Sequence, residues 1–213
     1  MKLLLILIGL VPSFDQVITH FSNYWVGFVS RLCSHFGLPA LIDRRPKDTF
    51  FSPFGIDNGK QTMVWSIISA AIGFGTIFLA YWLLHDQIDA ENLKQEVQKL
   101  YPLTVKDYLA VSLVITLVNP IMEEFFWRGY IFRKYHARYG GGFWLGIFFA
   151  IHHIIIFAKW FEPLPLAIAS FGLAAVGVFF NFLYSKTNNI YACWACHAFA
   201  DVAIILIGWK LLF

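Results

Sequence analysis

Long stretches without Asp, Glu, Lys or Arg alternate with short polar segments along this sequence. A helix that crosses a lipid bilayer needs about 20 mostly apolar residues. Five mostly apolar stretches meet or approach that length. Three of them, 61–84, 143–158 and 163–185, carry no Asp, Glu, Lys or Arg, whereas 108–132 and 190–213 contain a few charged residues. We therefore predict an all-α fold, a polytopic bundle with five or more transmembrane helices.

The first 60 residues give a less regular pattern. Residues 3–11 are apolar and resemble a signal-peptide core, but Pro12 and Asp15 interrupt the run, and no small-residue cleavage site follows. Aromatic residues within 24–29 favour a membrane association instead. We predict three parts, namely a membrane-associated or partly spanning region at 1–60, a transmembrane helix with an amphipathic connector at 61–107, and a membrane core at 108–213.

Composition supports a membrane protein, because 59% of the residues are hydrophobic and 14% are charged, whereas soluble domains average about 25% charged residues. The net charge of +3 and the three cysteines exclude a basic nucleic-acid binder and a disulfide-stapled secreted module. We expect an integral, multi-pass protein with the lipid bilayer as a partner and no nucleic acid. A bacterial cell membrane is the favoured location.

Seven ionisable side chains lie inside predicted spans, where a charged group costs about 2.5–3.5 kcal/mol at the bilayer centre. They are Glu123, Glu124, Arg128, His152, His153, His197 and Asp201. Residues retained at such a cost usually line a cavity and have a function there. We predict that the three segments carrying them form one polar site embedded in the membrane.

Helical spacing assigns partners to some of these side chains. Glu124 and Arg128 are four residues apart, so they share a helix face and can form an ion pair. Glu123 points about 100° away and is left available as a base. His197 and Asp201 are also four apart, so the carboxylate is expected to orient the imidazole.

Pro120 directly precedes the acidic pair, and its missing N–H predicts a kinked or restarted helix with the two acids near its start. A base carboxylate, imidazoles and a counter-charged arginine can activate water and stabilise an oxyanion, which is the chemistry of hydrolysis. The sequence contains neither G-x-S-x-G nor H-E-x-x-H, so a serine elbow and a zincin helix are not supported.

Three motifs in this order resemble those of the CAAX prenyl endopeptidase and bacteriocin-processing (CPBP) family of intramembrane proteases, which includes lysostaphin-resistance proteins. Residues 119–129 (NPIMEEFFWRG) are similar to the family's E-E-x-x-x-R motif, 148–153 (FFAIHH) to F-x-x-x-H, and 197–201 (HAFAD) to H-x-x-x-N/D. The likeness extends over about half of the chain, 105–213, and assigns the predicted core to such a protease.

The resemblance implies a role for each matching residue. Glu123 would activate the attacking water, while Glu124 and Arg128 would support the site. His197 would polarise the scissile carbonyl or stabilise its oxyanion. Asp201 stands where many members have Asn, and its additional charge is a departure from the family pattern.

The second motif fits twice, as Phe149 with His153 or as Phe148 with His152. We prefer His153, because this register also aligns the preceding apolar run, and His152 stays an alternative. The resemblance leaves metal dependence open between a divalent metal such as zinc and a metal-free glutamate mechanism. The candidate metal ligands are Glu123, His152, His153 and His197, and no other cofactor is expected.

The predicted function is therefore that of a CAAX prenyl protease type II-like intramembrane endopeptidase. Its substrate would be a membrane-associated peptide or protein, prenylated in a system that has this modification. In a bacterium the resemblance implies peptide maturation, bacteriocin immunity or envelope-stress control. Two alternatives are a proton-coupled membrane transporter and a non-catalytic membrane immunity or binding protein.

Two further patterns bear on the spans. Cys193 and Cys196 precede His197 in a C-x-x-C-H pattern, which is also the attachment signature of c-type haem. Because this pattern lies within an apolar span and its histidine already belongs to the third motif, we predict two buried cysteines instead. Gly172 and Gly177 predict close packing of their helix against a neighbour.

Overall fold

The computed structural model describes residues 24–43, 46–100, 104–136, 142–157 and 161–213, and within these ranges it contains helices and no strand. In chain order the helices are α1 (Tyr24–Leu32, Cys33–Gly37 and Leu38–Ile42), α2 (Pro46–Phe51), α3 (Gly59–Leu84), α4 (Ala90–Leu100), α5 (Val105–Tyr135), α6 (Gly142–Phe157), α7 (Pro163–Thr187) and α8 (Tyr191–Leu212). The predicted all-α class is confirmed.

Five of the described helices are long and apolar enough to cross a membrane. Their spans are Trp25–Ile42, Gly59–Gln87, Val105–Tyr135, Pro163–Thr187 and Tyr191–Leu212. Four of them coincide with predicted spans, and the fifth lies in the N-terminal region that we predicted to be membrane-associated or partly spanning. The predicted span at 143–158 corresponds to α6, a helix of 16 residues, which is shorter than the five. The apolar run at 3–11 lies outside the described residues.

Helix α5 is the central helix of the bundle. It begins with a capping box in which Thr104 and Asp107 satisfy each other's backbone N–H groups. Half of its apolar window is buried inside the protein, compared with 17% for α3. The difference arises because α5 is surrounded by other helices, whereas α3 exposes most of its surface, as expected of a helix that contacts lipid.

The helix break predicted at Pro120 takes a milder form. A π-helical turn, Val114–Val118, directly precedes an α-helical segment that begins at Asn119, and α5 then continues to Tyr135. The wider turn accommodates a residue that cannot donate a backbone hydrogen bond. Glu123 and Glu124 therefore lie well inside a continuous span, although an α-helical segment does restart just before them.

Glycines bring two pairs of helices into close contact. A Cβ atom at Gly177 of α7 would overlap the backbone of Gly146 on α6, and one at Gly73 of α3 would overlap the backbone of Cys196 on α8. The packing prediction is therefore confirmed for Gly177. It is wrong for Gly172, whose Cβ position meets no atom within 4 Å in the described part of the chain.

The turn between α7 and α8 sets the register of the third motif. Helix α7 ends at Thr187. The next residue, Asn188, has a left-handed backbone conformation with φ of 52°, and asparagine tolerates this region better than most residues do. The side chain of Asn189 then donates to Thr62 Oγ1 on α3 at 2.9 Å. These contacts fix the start of α8 and thereby the height at which His197 enters the bundle.

Candidate active site

A fully buried arginine connects α5 with α7. Arg128 is 0% exposed, and its Nη1 lies 3.1 Å from both carboxylate oxygens of Glu124. Its Nε donates to Asn181 Oδ1 at 3.2 Å, and its Nη2 donates to the carbonyl oxygen of Gly177 at 3.1 Å. Each nitrogen of the guanidinium thus has an acceptor, which compensates the cost of burying its charge. We call Glu124, Arg128 and Asn181 the arginine anchor.

Aromatic rings enclose this anchor. The guanidinium carbon of Arg128 lies 4.2 Å from the ring centre of Phe149 and 4.8 Å from that of Phe180. Phe149 lies in the second motif, and its ring makes a cation–π contact with the arginine of the first motif. The two motifs are therefore joined by packing as well as by sequence order.

The arginine anchor also orients an imidazole. His197 Nδ1 lies 2.9 Å from Glu124 Oε1. A carboxylate oxygen only accepts, so Nδ1 carries the proton and donates it, while Nε2 faces the other way. The spacing had assigned this orienting role to Asp201, but Asp201 Oδ2 lies 3.9 Å from Nε2 instead. The shorter contact comes from a different helix, which spacing within α8 could not reveal.

A second imidazole approaches from α6. His153 Nδ1 lies 3.1 Å from the carbonyl oxygen of Phe149, and because a carbonyl only accepts, Nδ1 is the donor. His153 Nε2 is then directed at Glu123 Oε2, 3.5 Å away. The side chain of His152 lies outside the described part of the chain, so the preference for His153 stays a prediction.

Glu123 lies where these imidazoles meet. It is 3% exposed, its Oε1 accepts a hydrogen bond of 2.9 Å from Asn119 Nδ2, and its Oε2 lies 4.0 Å from His197 Nε2. We call Glu123, His153 and His197 the glutamate corner. Three helices, α5, α6 and α8, supply its members, which is the convergence that the sequence predicted.

The glutamate corner offers the ligands of a zinc-type metal site. One ligand atom from each of its three residues lies within 4.8 Å of the other two. Two imidazole nitrogens and one carboxylate oxygen are a common ligand set of catalytic zinc, which keeps a fourth position open for water. Both rings donate through Nδ1 and keep Nε2 for the corner, so their tautomers suit cation binding. The residues present therefore fit a divalent metal.

Comparison with known families agrees with this geometry. Residues 105–203 match the family model described as Rce1-like, Type II CAAX prenyl endopeptidase Rce1-like. The match covers slightly less than half of the chain and supports the CPBP family for this region. The resemblance drawn from the three motifs is thereby confirmed at the family level, which supports a CAAX-type intramembrane protease, and the five apolar helices support a multi-pass membrane fold. The chain finds no significant match among curated proteins or among solved structures.

The CPBP match includes both the arginine anchor and the glutamate corner and leaves out α1 to α4. One anchor residue, Asn181, was missed by sequence reasoning, although an amide inside the predicted span 163–185 is a signal that could have identified it. Its Nδ2 also donates to the carbonyl oxygen of Gly142 at the start of α6. Asn181 therefore links α5, α6 and α7 at the level of the site.

The two cysteines before His197 belong to the helix core. Cys193 is 0% exposed and Cys196 is 3% exposed, and the Sγ of Cys193 donates to the carbonyl oxygen of Phe180 at 3.1 Å. His197 of the same pattern is held by Glu124. All three side chains of the C-x-x-C-H pattern are thus engaged in packing α8 against its neighbours.

Proposed function

We propose that this protein is an intramembrane endopeptidase in which Glu123 activates the water that hydrolyses a peptide bond. The observation that supports the proposal most directly is the glutamate corner, where the Oε2 atom of a buried carboxylate faces the Nε2 atoms of two imidazoles from other helices. A carboxylate with such neighbours can exchange a proton with water. Glu124, whose oxygens are engaged by Arg128 and His197, is fixed instead as an ion-pair partner.

In the proposed reaction, Glu123 accepts a proton from water while the water oxygen forms a bond with the scissile carbonyl carbon. The carbonyl oxygen becomes an oxyanion. His197 stabilises it by a hydrogen bond from Nε2, in the form of the ring that is protonated on both nitrogens. The carboxylates of Glu124 and Asp201 compensate the positive charge that His197 carries in this form. The C–N bond then breaks as Glu123 passes its proton to the leaving amine, and the products are a carboxylic acid and an amine.

His153 positions the reacting water in this scheme, because its Nδ1–H donates to Phe149 and its Nε2 is then directed to the water. A divalent metal held by Glu123, His153 and His197 would supply Lewis-acid polarisation of the water or the carbonyl. Glu123 carries out the proton transfers of this scheme, and His197 contributes a hydrogen bond.

The proposed substrate is a peptide or protein C-terminal region that reaches the site from the membrane, since α5, α7 and α8 beside the site are apolar and long enough to span it. The family description is that of a CAAX prenyl endopeptidase, and for a prenylated substrate the resemblance implies removal of the last three residues. Prenylated and unprenylated versions of one peptide would therefore show how much of the binding depends on the lipid.

The test uses the full-length protein in lipid nanodiscs with a matched peptide pair, prenylated and unprenylated, and detection of products by mass spectrometry. Glu123→Gln keeps the size of the side chain and removes the base, so we expect a loss of about 100-fold to 10,000-fold in kcat. Glu91→Gln is the control, because Glu91 is exposed on α4. Parallel samples with a chelator and with added Zn²⁺ report on metal dependence.

Cleavage that is equal in the wild type and Glu123→Gln would contradict the proposal. So would a wild-type protein that cleaves neither peptide but carries protons into liposomes, which is the behaviour of the transporter alternative. An unchanged biological activity in Glu123→Gln would instead favour the non-catalytic immunity or binding protein.

A further inference from the structure

Helix α1 contributes a side chain to the surroundings of the glutamate corner, although α1 lies outside the CPBP match. Arg31 Nη1 donates to Asn119 Oδ1. The Nδ2 of the same amide donates to Glu123 Oε1 at 2.9 Å. A guanidinium, an amide and a carboxylate are thus joined by two consecutive hydrogen bonds that run from α1 to the proposed base.

The amide in this relay can face only one way. An asparagine side chain has an accepting oxygen at one end and a donating nitrogen at the other, and the two ends have nearly the same shape. Reversal would place Nδ2 against the donor of Arg31 and Oδ1 against the carboxylate of Glu123, which gives two repulsive contacts. Arg31 therefore favours the orientation in which Asn119 donates to Glu123.

This orientation has a consequence for the carboxylate. Because Asn119 engages Oε1, the plane of the Glu123 carboxylate is held so that Oε2 faces His153 and His197. Asn119 lies four residues before Glu123 on the same helix, so the amide is within reach without any rearrangement of α5. Charge on the guanidinium also polarises the amide and strengthens its donation to the carboxylate.

We propose that Arg31 is a positioning residue for Glu123 and acts through Asn119. The inference rests on the proposed function, since it assigns Arg31 to the reaction of the glutamate corner. Two alternative roles compete with this one. In the first, Arg31 binds the terminal carboxylate of the substrate directly. In the second, Arg31 only attaches α1 to α5.

A kinetic cycle separates these roles, with the full-length protein in nanodiscs and the cleaved peptide as substrate. Outer-shell residues that orient a catalytic group typically contribute about 10-fold to 100-fold, so Arg31→Ala is expected to lower kcat by that factor with little change in KM. Arg31→Lys keeps a charged donor and is expected to retain most of the activity. Asn119→Ala should resemble Arg31→Ala, and the double variant should be no slower than Asn119→Ala alone.

An effect of Arg31→Ala that appears mainly in KM, or that persists in full when Asn119 is already alanine, would overturn the proposal in favour of direct substrate binding. Equal losses of activity in Arg31→Lys and Arg31→Ala would overturn the proposal too, because a charged donor at this position would then not support the activity. Arg133→Ala is the matched control. Its guanidinium lies 3.4 Å from the Asp48 carbonyl oxygen in an exposed position, and no loss is expected.

A measurement that needs no cleavage distinguishes failure of this inference from failure of the proposed function. In protein labelled with ¹⁵N at asparagine side chains, the Asn119 amide signal is assigned by its disappearance in Asn119→Asp. We expect Arg31→Ala and Glu123→Gln each to shift that signal, and Arg133→Ala to leave it in place. An Asn119 signal that does not respond to Arg31→Ala overturns the inference, whether or not the protein is a protease.

Discussion

Glu123 and Glu124 are neighbours in the sequence, yet they occupy opposite surroundings. Glu124 is fully buried and bonded to Arg128 and His197. Glu123, turned by about 100° on the helix, accepts from the neutral amide of Asn119 and faces the Nε2 atoms of two histidines. A carboxylate opposite a guanidinium therefore stabilises the fold, whereas one among imidazoles can exchange protons.

We expect the largest effect on stability from a change in the arginine anchor. Arg128→Ala leaves Glu124 as a buried charge without its counter-ion and removes the donors to Asn181 and Gly177. Breaking a buried pair in this way costs about 3–5 kcal/mol. We expect a decrease of that size in the free energy of unfolding, measured by denaturation in mixed micelles, together with complete loss of cleavage.

The control for this prediction is an exposed ion pair. Lys134 lies 3.2 Å from Asp43, with side chains 38% and 24% exposed, and such pairs contribute about 0–1 kcal/mol. Lys134→Ala should therefore leave stability almost unchanged. The double variant Glu124→Gln with Arg128→Met should lose less than the sum of its single losses, because it buries no unpaired charge. Equal losses in Arg128→Ala and Lys134→Ala would remove the distinction between the anchor and the surface.

For a substitution in the glutamate corner we expect a loss of cleavage rate with a smaller loss of stability. His153→Ala removes the imidazole whose Nε2 faces Glu123 and leaves the arginine anchor intact, so we expect a decrease of about 10-fold to 100-fold in kcat, as is typical of residues that orient a catalytic group. The unfolding free energy should fall by less than in Arg128→Ala. His152→Ala is the matched comparison on the adjacent residue. A greater loss of kcat in His152→Ala would assign the second motif to the other register.

Local spacing accounts for much of what could be predicted about the site. The pair of Glu124 and Arg128 follows from their four-residue spacing on one helix, so it could be predicted without tertiary information. The convergence of Glu123, His153 and His197 from three spans could also be predicted, because each is costly in lipid and one shared polar site reduces that cost. Four of the predicted spans follow from hydropathy alone.

Contacts between helices explain what the sequence left undetermined. Asn181 and the carbonyl oxygen of Gly177 meet Arg128 because α7 packs against α5, which spacing within either helix does not predict. The partner of His197 Nδ1 is Glu124 instead of Asp201 for the same reason, since the depth of α8 against α5 decides which carboxylate is nearer. The contribution of Arg31 depends on α1, whose span at Trp25–Ile42 combines aromatic, polar and apolar residues without a uniform pattern.

Asp201 provides the smallest predicted effect and tests where the glutamate corner ends. Its Oδ2 lies 3.9 Å from His197 Nε2, beyond hydrogen-bonding distance, and many CPBP members have Asn at the matching position. Asp201→Asn keeps the shape and removes one charge, while Glu124 continues to hold His197. We expect kcat to change by less than about 10-fold, because a single weak charge contact contributes about 1 kcal/mol or less. A loss as large as that of His153→Ala, in protein of unchanged stability, would place Asp201 among the reacting groups and extend the corner to a fourth residue.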